Sequence, residues 1–253
     1  MKKIKLNISY IGTAYCGWQV QPNAVSVQQR VQDAVERTFG KRYSLTGCSR
    51  TDSGVHARSF ICTVDLDDEA NNIPCERIPL VMNRHLPADI AVKEAAEADP
   101  DFHPRYSCIG KEYEYIFYDS PLRDPFCEGR VAHILPRLDA EAMNDAARCF
   151  VGRQDFRAFM ASGSKIEDTV RTIYRCSVTR DGDLVRIRVA ADGFLYNMVR
   201  IIAGTLAEVG HGRRTKAGLR VAIDSKDRKS SGQTAPPEGL YLSEVFYPKG
   251  EEK

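Results

Sequence analysis

Eleven consecutive residues, Gly47-Cys48-Ser49-Arg50-Thr51-Asp52-Ser53-Gly54-Val55-His56-Ala57, gather reactive side-chain types into one polar, turn-forming run. Asp52 can serve there as a nucleophile, as a general base or as the acceptor of an Asx turn leading into Gly54. Arg50 and Arg58 flank it. Either can pair with the carboxylate and keep it ionised, or contact a phosphate. His56 offers a general base or a ring that satisfies a backbone group. No G-x-S-x-G elbow, Walker loop or G-x-G-x-x-G occurs, so neither a serine hydrolase nor a nucleotide cradle is indicated. The eight cysteines are scattered singly with no C-x-x-C. That pattern argues against a zinc site and against a zinc nucleobase deaminase, and it suits thiols acting as small core hydrophobes in a reducing compartment.

The run needs strands to hold it, and the flanking sequence supplies them. Tyr43 to Leu45 and Phe60 to Val64 read as strands on either side, and a loop mounted between strands is a common site for a reactive side chain. Ile4, Leu6, Ile8 and Tyr10 alternate with polar residues as in a half-buried strand. Ser26 with Gln29 forms a capping box before a helix whose Val27, Val31, Ala34 and Val35 share one face and which Gly40 stops. Tyr113, Tyr115 and Phe117 alternate again. Thr172 to Val178 and Leu184 to Val189 flank the hairpin signal Asp181-Gly182. Apolar residues at helical spacing predict a helix from Phe194 to Val209. The class is α+β, an α/β mixture with mainly antiparallel sheets, because hairpin signals outnumber βαβ crossovers. Pro100 and Pro104 interrupt the pattern, which places a boundary between an N-terminal domain, 1–104, and a C-terminal domain, 105–253.

With 43% hydrophobic and 28% charged residues, the 253-residue chain has enough apolar material for a core and is neither disordered nor fibrous. No apolar run reaches the roughly 18–20 residues of a membrane span, and Met1 to Lys5 lack a signal-peptide core, so a cytosolic protein is expected. A net charge of +2 conceals an asymmetry. Asp65 to Asp101 holds ten acids against three bases, whereas Arg200 to Ser230 holds eight bases against three acids. A polyanionic partner would bind the second stretch and avoid the first; the alternative is a solvated helical face.

Ser49-Arg50-Thr51-Asp52-Ser53-Gly54-Val55-His56-Ala57 resembles the signature of the TruA family of tRNA pseudouridine synthases, with Ser53 where the family usually has Ala. Further blocks follow in the family's order. Tyr10-Ile11-Gly12-Thr13-Ala14-Tyr15-Cys16-Gly17-Trp18-Gln19 resembles the opening block, and Phe102-His103-Pro104-Arg105 with Lys111-Glu112-Tyr113-Glu114-Tyr115 the central one. Gly152 to Phe156, Phe194 to Arg200 and Glu238 to Leu242 are similar to the C-terminal blocks.

The resemblance implies the two-domain pseudouridine synthase fold, with helices facing the sheets and an active-site cleft between domains. It implies isomerisation of uridines 38, 39 and 40 in the tRNA anticodon stem-loop by a cytoplasmic homodimer, with no cofactor, no metal and no membrane. Asp52 then matches the nucleophile, attacking C1′ of the ribose or C6 of the base. Tyr113 matches the tyrosine that packs on the target base, and Arg200 the arginine that pairs with the carboxylate. Arg50 is expected on the RNA backbone or in the space the flipped base leaves. Arg58, Arg105 and the basic stretch from Arg200 to Lys229 are expected to contact phosphates. A rival of another class is a non-catalytic RNA-binding protein on the same fold, which would not need Asp52.

Overall fold

The N-terminal alternation forms β1 (Lys2–Tyr10), with Ile4, Leu6, Ile8 and Tyr10 buried and the residues between them half-exposed. In α1 (Val27–Phe39) the Ser26 hydroxyl accepts the Gln29 N–H at 3.2 Å, and Gly40 ends the helix in the left-handed region at φ 75°. The face read from spacing, Val27, Val31, Ala34 and Val35, is the buried one. Next come β2 (Leu45–Gly47) and β3 (His56–Leu66). The sequence pattern put the first of these at Tyr43 to Leu45. The strand instead starts at Leu45, because Leu45, Thr46 and Gly47 are the residues that pair with Val64, Thr63 and Cys62 of the long β3. A short α2 (Ile78–Met82) and β4 (Ile90–Glu97) follow, and β1 pairs antiparallel with both β3 and β4.

A second series begins with β5 (Gly110–Tyr118), β6 (Ala132–His133), α3 (Ala140–Ala147) and β7 (Gly152–Asp155). The expected hairpin is β8 (Val170–Asp181) and β9 (Leu184–Ala191), turning at Gly182 with φ 59°. Here the order is β5-β9-β8-β7, antiparallel throughout, with β6 parallel to the end of β5. α4 (Met198–Gly210) and α5 (Lys216–Ser225) complete the series. α4 starts one turn later than the spacing predicted. Asn197 sits in the left-handed region at φ 58°, so Phe194 to Asn197 lead in irregularly, although Leu195 still packs into the core. The chain closes with β10 (Leu240–Phe246), a neighbour of β3.

The computed structural model describes residues 1–67, 73–164 and 166–248; Asp68 and Glu69 of the acidic stretch lie outside them. By contacts the chain forms two compact units, Met1–Ile109 with the closing segment from Leu242, and Gly110–Tyr241. The sequence expectation divided the chain at 104 and kept the closing strand with the second part. In the contact division the strand from Leu242 groups with the first. Among the described residues no helix is long and apolar enough to cross a membrane.

Candidate active site

In the first unit Asp52 lies on the connection from β2 to β3, and the segment after β1 clamps that connection. The Tyr15 carbonyl accepts the Gly54 N–H and the Ser53 hydroxyl, each at 3.2 Å. Trp18 N–H donates to the Thr51 carbonyl at 3.2 Å, and the Thr51 hydroxyl lies 2.8 Å from the Tyr10 hydroxyl. Two glycines are needed for so close an approach. A Cβ on Gly12 would stand 1.9 Å from the Val55 carbonyl oxygen. At Gly17, already at φ 99°, it would stand 2.3 Å from that of Thr51. Trp18 stacks on Phe60 with centroids 4.1 Å apart, tying the clamp to β3.

Main-chain groups close the turn. Val55 N–H closes it on the main-chain oxygen of Asp52 at 3.2 Å, with Gly54 at φ 79° as the third residue of a type II turn requires. An Asx turn would direct the Gly54 N–H at the Asp52 side chain, and that N–H is used by Tyr15. Asp52 therefore shapes the loop through its backbone and presents a half-buried carboxyl group. His56 is fully buried, and its Nδ1 accepts the Gly12 N–H at 2.8 Å. Nδ1 thus carries no proton, and of the two roles open to this ring the structure uses it to satisfy a backbone group.

In the second unit Tyr113 lies on β5 opposite Val189, 8% exposed, with the Phe194 ring edge-on at 5.0 Å and 86°. Tyr115, two residues on, is core: it is fully buried and donates to the Pro236 carbonyl at 2.7 Å. Burial pushes its phenol well above the ordinary value. Arg200 stands in the first turn of α4. Its Nε donates to the Ala235 carbonyl at 2.7 Å and its Nη1 to the Asn197 side-chain oxygen at 3.0 Å, which fixes the plane of the guanidinium. Gly204 lets the chain lie against that helix, since a Cβ there would meet the Gln233 carbonyl oxygen at 1.9 Å.

The family model described as tRNA pseudouridine synthase matches residues 7–107 and 146–248. The chain belongs to that family. A tRNA pseudouridine synthase A of Acetivibrio thermocellus is 45% identical over 247 residues, covering 98% of this chain and all of the relative. The enzyme of that name from Ruminiclostridium cellulolyticum is 42% identical over 248 residues, with the same coverage. Among solved structures, one titled as a Cbf5-Nop10-Gar1 complex aligns with 96% of this chain and 59% of its own at 11% identity. Its TM-score is 0.36, and nothing about the fold rests on it.

As a tRNA pseudouridine synthase family member, the chain carries Arg50, Asp52 and Arg58 in the first matched stretch and Arg200 in the second. Tyr113 falls between the two. The first unit brings Arg50, Asp52 and Arg58 onto one loop and the strand that follows it. Arg50 is exposed and has no ion-pair partner among the described residues. Arg58 is exposed on β3, its carbonyl accepting from Lys93 Nζ at 3.4 Å. The second unit holds Tyr113 and Arg200. Sequence reasoning missed the clamping roles of Gly12, Tyr15, Gly17 and Trp18 and the ring contact of Phe194. The clamp had a signal, since these four lie in the opening family block. Phe194 was hidden by its helical spacing.

Proposed function

We propose that this chain isomerises uridine to pseudouridine at positions 38, 39 and 40 of the tRNA anticodon stem-loop, with Asp52 as nucleophile. The observation that carries the assignment of Asp52 is its place in the first matched family stretch, on a turn closed by main-chain groups and clamped at both ends. A carboxylate suits the chemistry because it can both attack and leave. Attack at C1′ and addition at C6 use the same oxygen. In either route the N1–C1′ bond breaks, the base turns, the C5–C1′ bond forms, C5 loses its proton and N1 gains one. Atoms balance within the nucleotide, so no cofactor takes part. In this reading, as the family resemblance implies, Tyr113, edge-braced by Phe194, is the residue for the detached base and Arg200 the partner for the carboxylate. A stem uridine must leave its stack first, at a cost of a few kcal/mol. Arg50 fills the vacated space or holds the backbone. The working form is a cytoplasmic homodimer.

The test is tritium release from tRNA transcripts labelled at C5 of uridine. Wild type is expected to release label from transcripts with uridine at 38 to 40. Asp52→Asn is expected to release none while binding tRNA within about threefold of wild type, since the amide keeps shape but not nucleophilicity. Release by the variant removes Asp52 from this role; no release by wild type overturns the reaction.

A further inference from the structure

A cavity of about 470 Å³ opens in the first unit beside Tyr15, and its wall is cationic. Arg30 and Arg37 come from α1, seven residues and so about 10 Å apart along one face, with Asp33 between them. Arg84 and His85 come from the turn after α2. That turn is pinned by Asn83, whose side chain donates to the Val92 carbonyl at 2.9 Å and accepts its N–H at 2.8 Å.

The acids nearby are already taken. Arg42 holds Asp33 at 2.9 Å, and Tyr15 donates its phenol to Asp89 at 2.7 Å. Among the described residues neither Arg30, Arg37 nor Arg84 has a carboxylate partner. Three guanidinium groups around one concavity outnumber Asp33, the one acid in its lining, and attract anions.

We infer that this cavity is an RNA-backbone site, in which Arg30, Arg37 and Arg84 hold successive phosphodiester groups. The inference rests on the tRNA reading above and adds a binding element to it. Guanidinium groups spread over about 10 Å on two elements suit a run of phosphates better than one terminal phosphate. Tyr15 is 6% exposed, so its ring offers no face for a base to stack on. One residue links the site to the Asp52 turn. Tyr15, which lines the cavity, is the residue whose carbonyl holds Gly54 and Ser53. Phosphates seated here set the register of the RNA against that turn.

The test measures tRNA binding over a range of KCl for the wild-type chain, for Arg30→Gln/Arg37→Gln/Arg84→Gln and for Arg30→Lys/Arg37→Lys/Arg84→Lys. Thermal midpoints are compared, and wild-type C5-tritium release runs alongside. The glutamine variant is expected to bind at least about tenfold more weakly and to lose about 2 from the log–log salt slope, at roughly 0.7–0.9 per phosphate contact. The lysine variant is expected to keep the slope. Unchanged affinity and slope in the glutamine variant, with wild-type release intact, overturn this inference alone. Pyrophosphate binding lost in that variant while tRNA binding is kept assigns the cavity to a small phosphate and also overturns it. Absence of tRNA binding and release by wild type overturns the functional reading and this inference together.

Discussion

Between Arg200 and Lys229, in the second unit, most bases are held by the protein itself. Glu208 takes Arg214 at 2.8 Å, Asp145 takes Lys216 at 2.8 Å, Asp224 takes Arg220 at 3.3 Å and Asp155 takes Lys226 at 3.1 Å. Arg228 donates to Ser231, Gly232 and Thr234, and Arg200 to Asn197 and Ala235. Around the cavity of the first unit, Arg30, Arg37 and Arg84 have no such partners among the described residues. The stretch that looks most basic in sequence has thus paired four of its eight bases with carboxylates, while Arg84 keeps its charge inside the stretch that looks most acidic. What draws a polyanion is charge left over after folding, and a linear count does not register it.

The largest effect that would sharpen this contrast belongs to the most fully committed base. Arg180 meets the completely buried Asp119 carboxylate at 3.0 and 2.7 Å, and Leu138 N–H donates to it at 2.9 Å. Burial pushes the Asp119 carboxyl group up, but Arg180 and Leu138 outweigh it and hold it below its ordinary value. A lowered carboxylate value stabilises the fold above the unfolded-state value and ceases to as pH falls through the lowered one. Arg180→Gln is expected to cost about 3–5 kcal/mol in denaturant unfolding at neutral pH by stranding a buried charge. The deficit is expected to shrink on acidification, as the stranded group protonates in the variant while wild type loses its own ion-pair contribution. The salt slope of tRNA binding is expected to stay at the wild-type value. A flattened slope with stability intact would break the distinction between structural and available charge.

A smaller effect is expected at Arg42, which touches RNA in neither reading but keeps Asp33 occupied. Arg42→Gln removes the cation that offsets Asp33 in the cavity lining and is expected to weaken tRNA binding about fivefold, the scale of one charge a few Å away in water. Adding Asp33→Asn is expected to restore affinity. A double variant no better than the single shows that Asp33 does not compete for the site. The smallest effect falls on Arg214→Gln, expected to cost about 0.2–1 kcal/mol in stability with the salt slope unmoved. Loss of slope there would return the RNA contact to the basic stretch.

The Asp52 loop was legible because its information is local: a turn sequence and the flanking alternation lie within the first 66 residues, whereas the close approaches at Gly12 and Gly17 depend on a segment folding back and were not read. The buried faces of β1 and α1 were legible for the same reason. The start of α4 was not, since Phe194 and Leu195 continue a helical spacing while Asn197 breaks the backbone geometry. β2 was misplaced because β3 sets its register from a distance. The cavity was invisible for a stronger reason: Arg37 and Arg84 are 47 residues apart, and whether each is compensated depends on partners that only folding chooses.

The return of β10 to the first unit has a consequence for synthesis. A ribosome completes all of Gly110–Tyr241 before it delivers the last strand of the unit it began with. At about 5–20 residues per second, the roughly 130 intervening residues take about 7–26 s. Throughout that interval the nascent chain exposes the part of the β3 edge that β10 will cover, a surface prone to pair with other strands. A chain cut short before Leu242 is released with its first unit open, however well the second has folded.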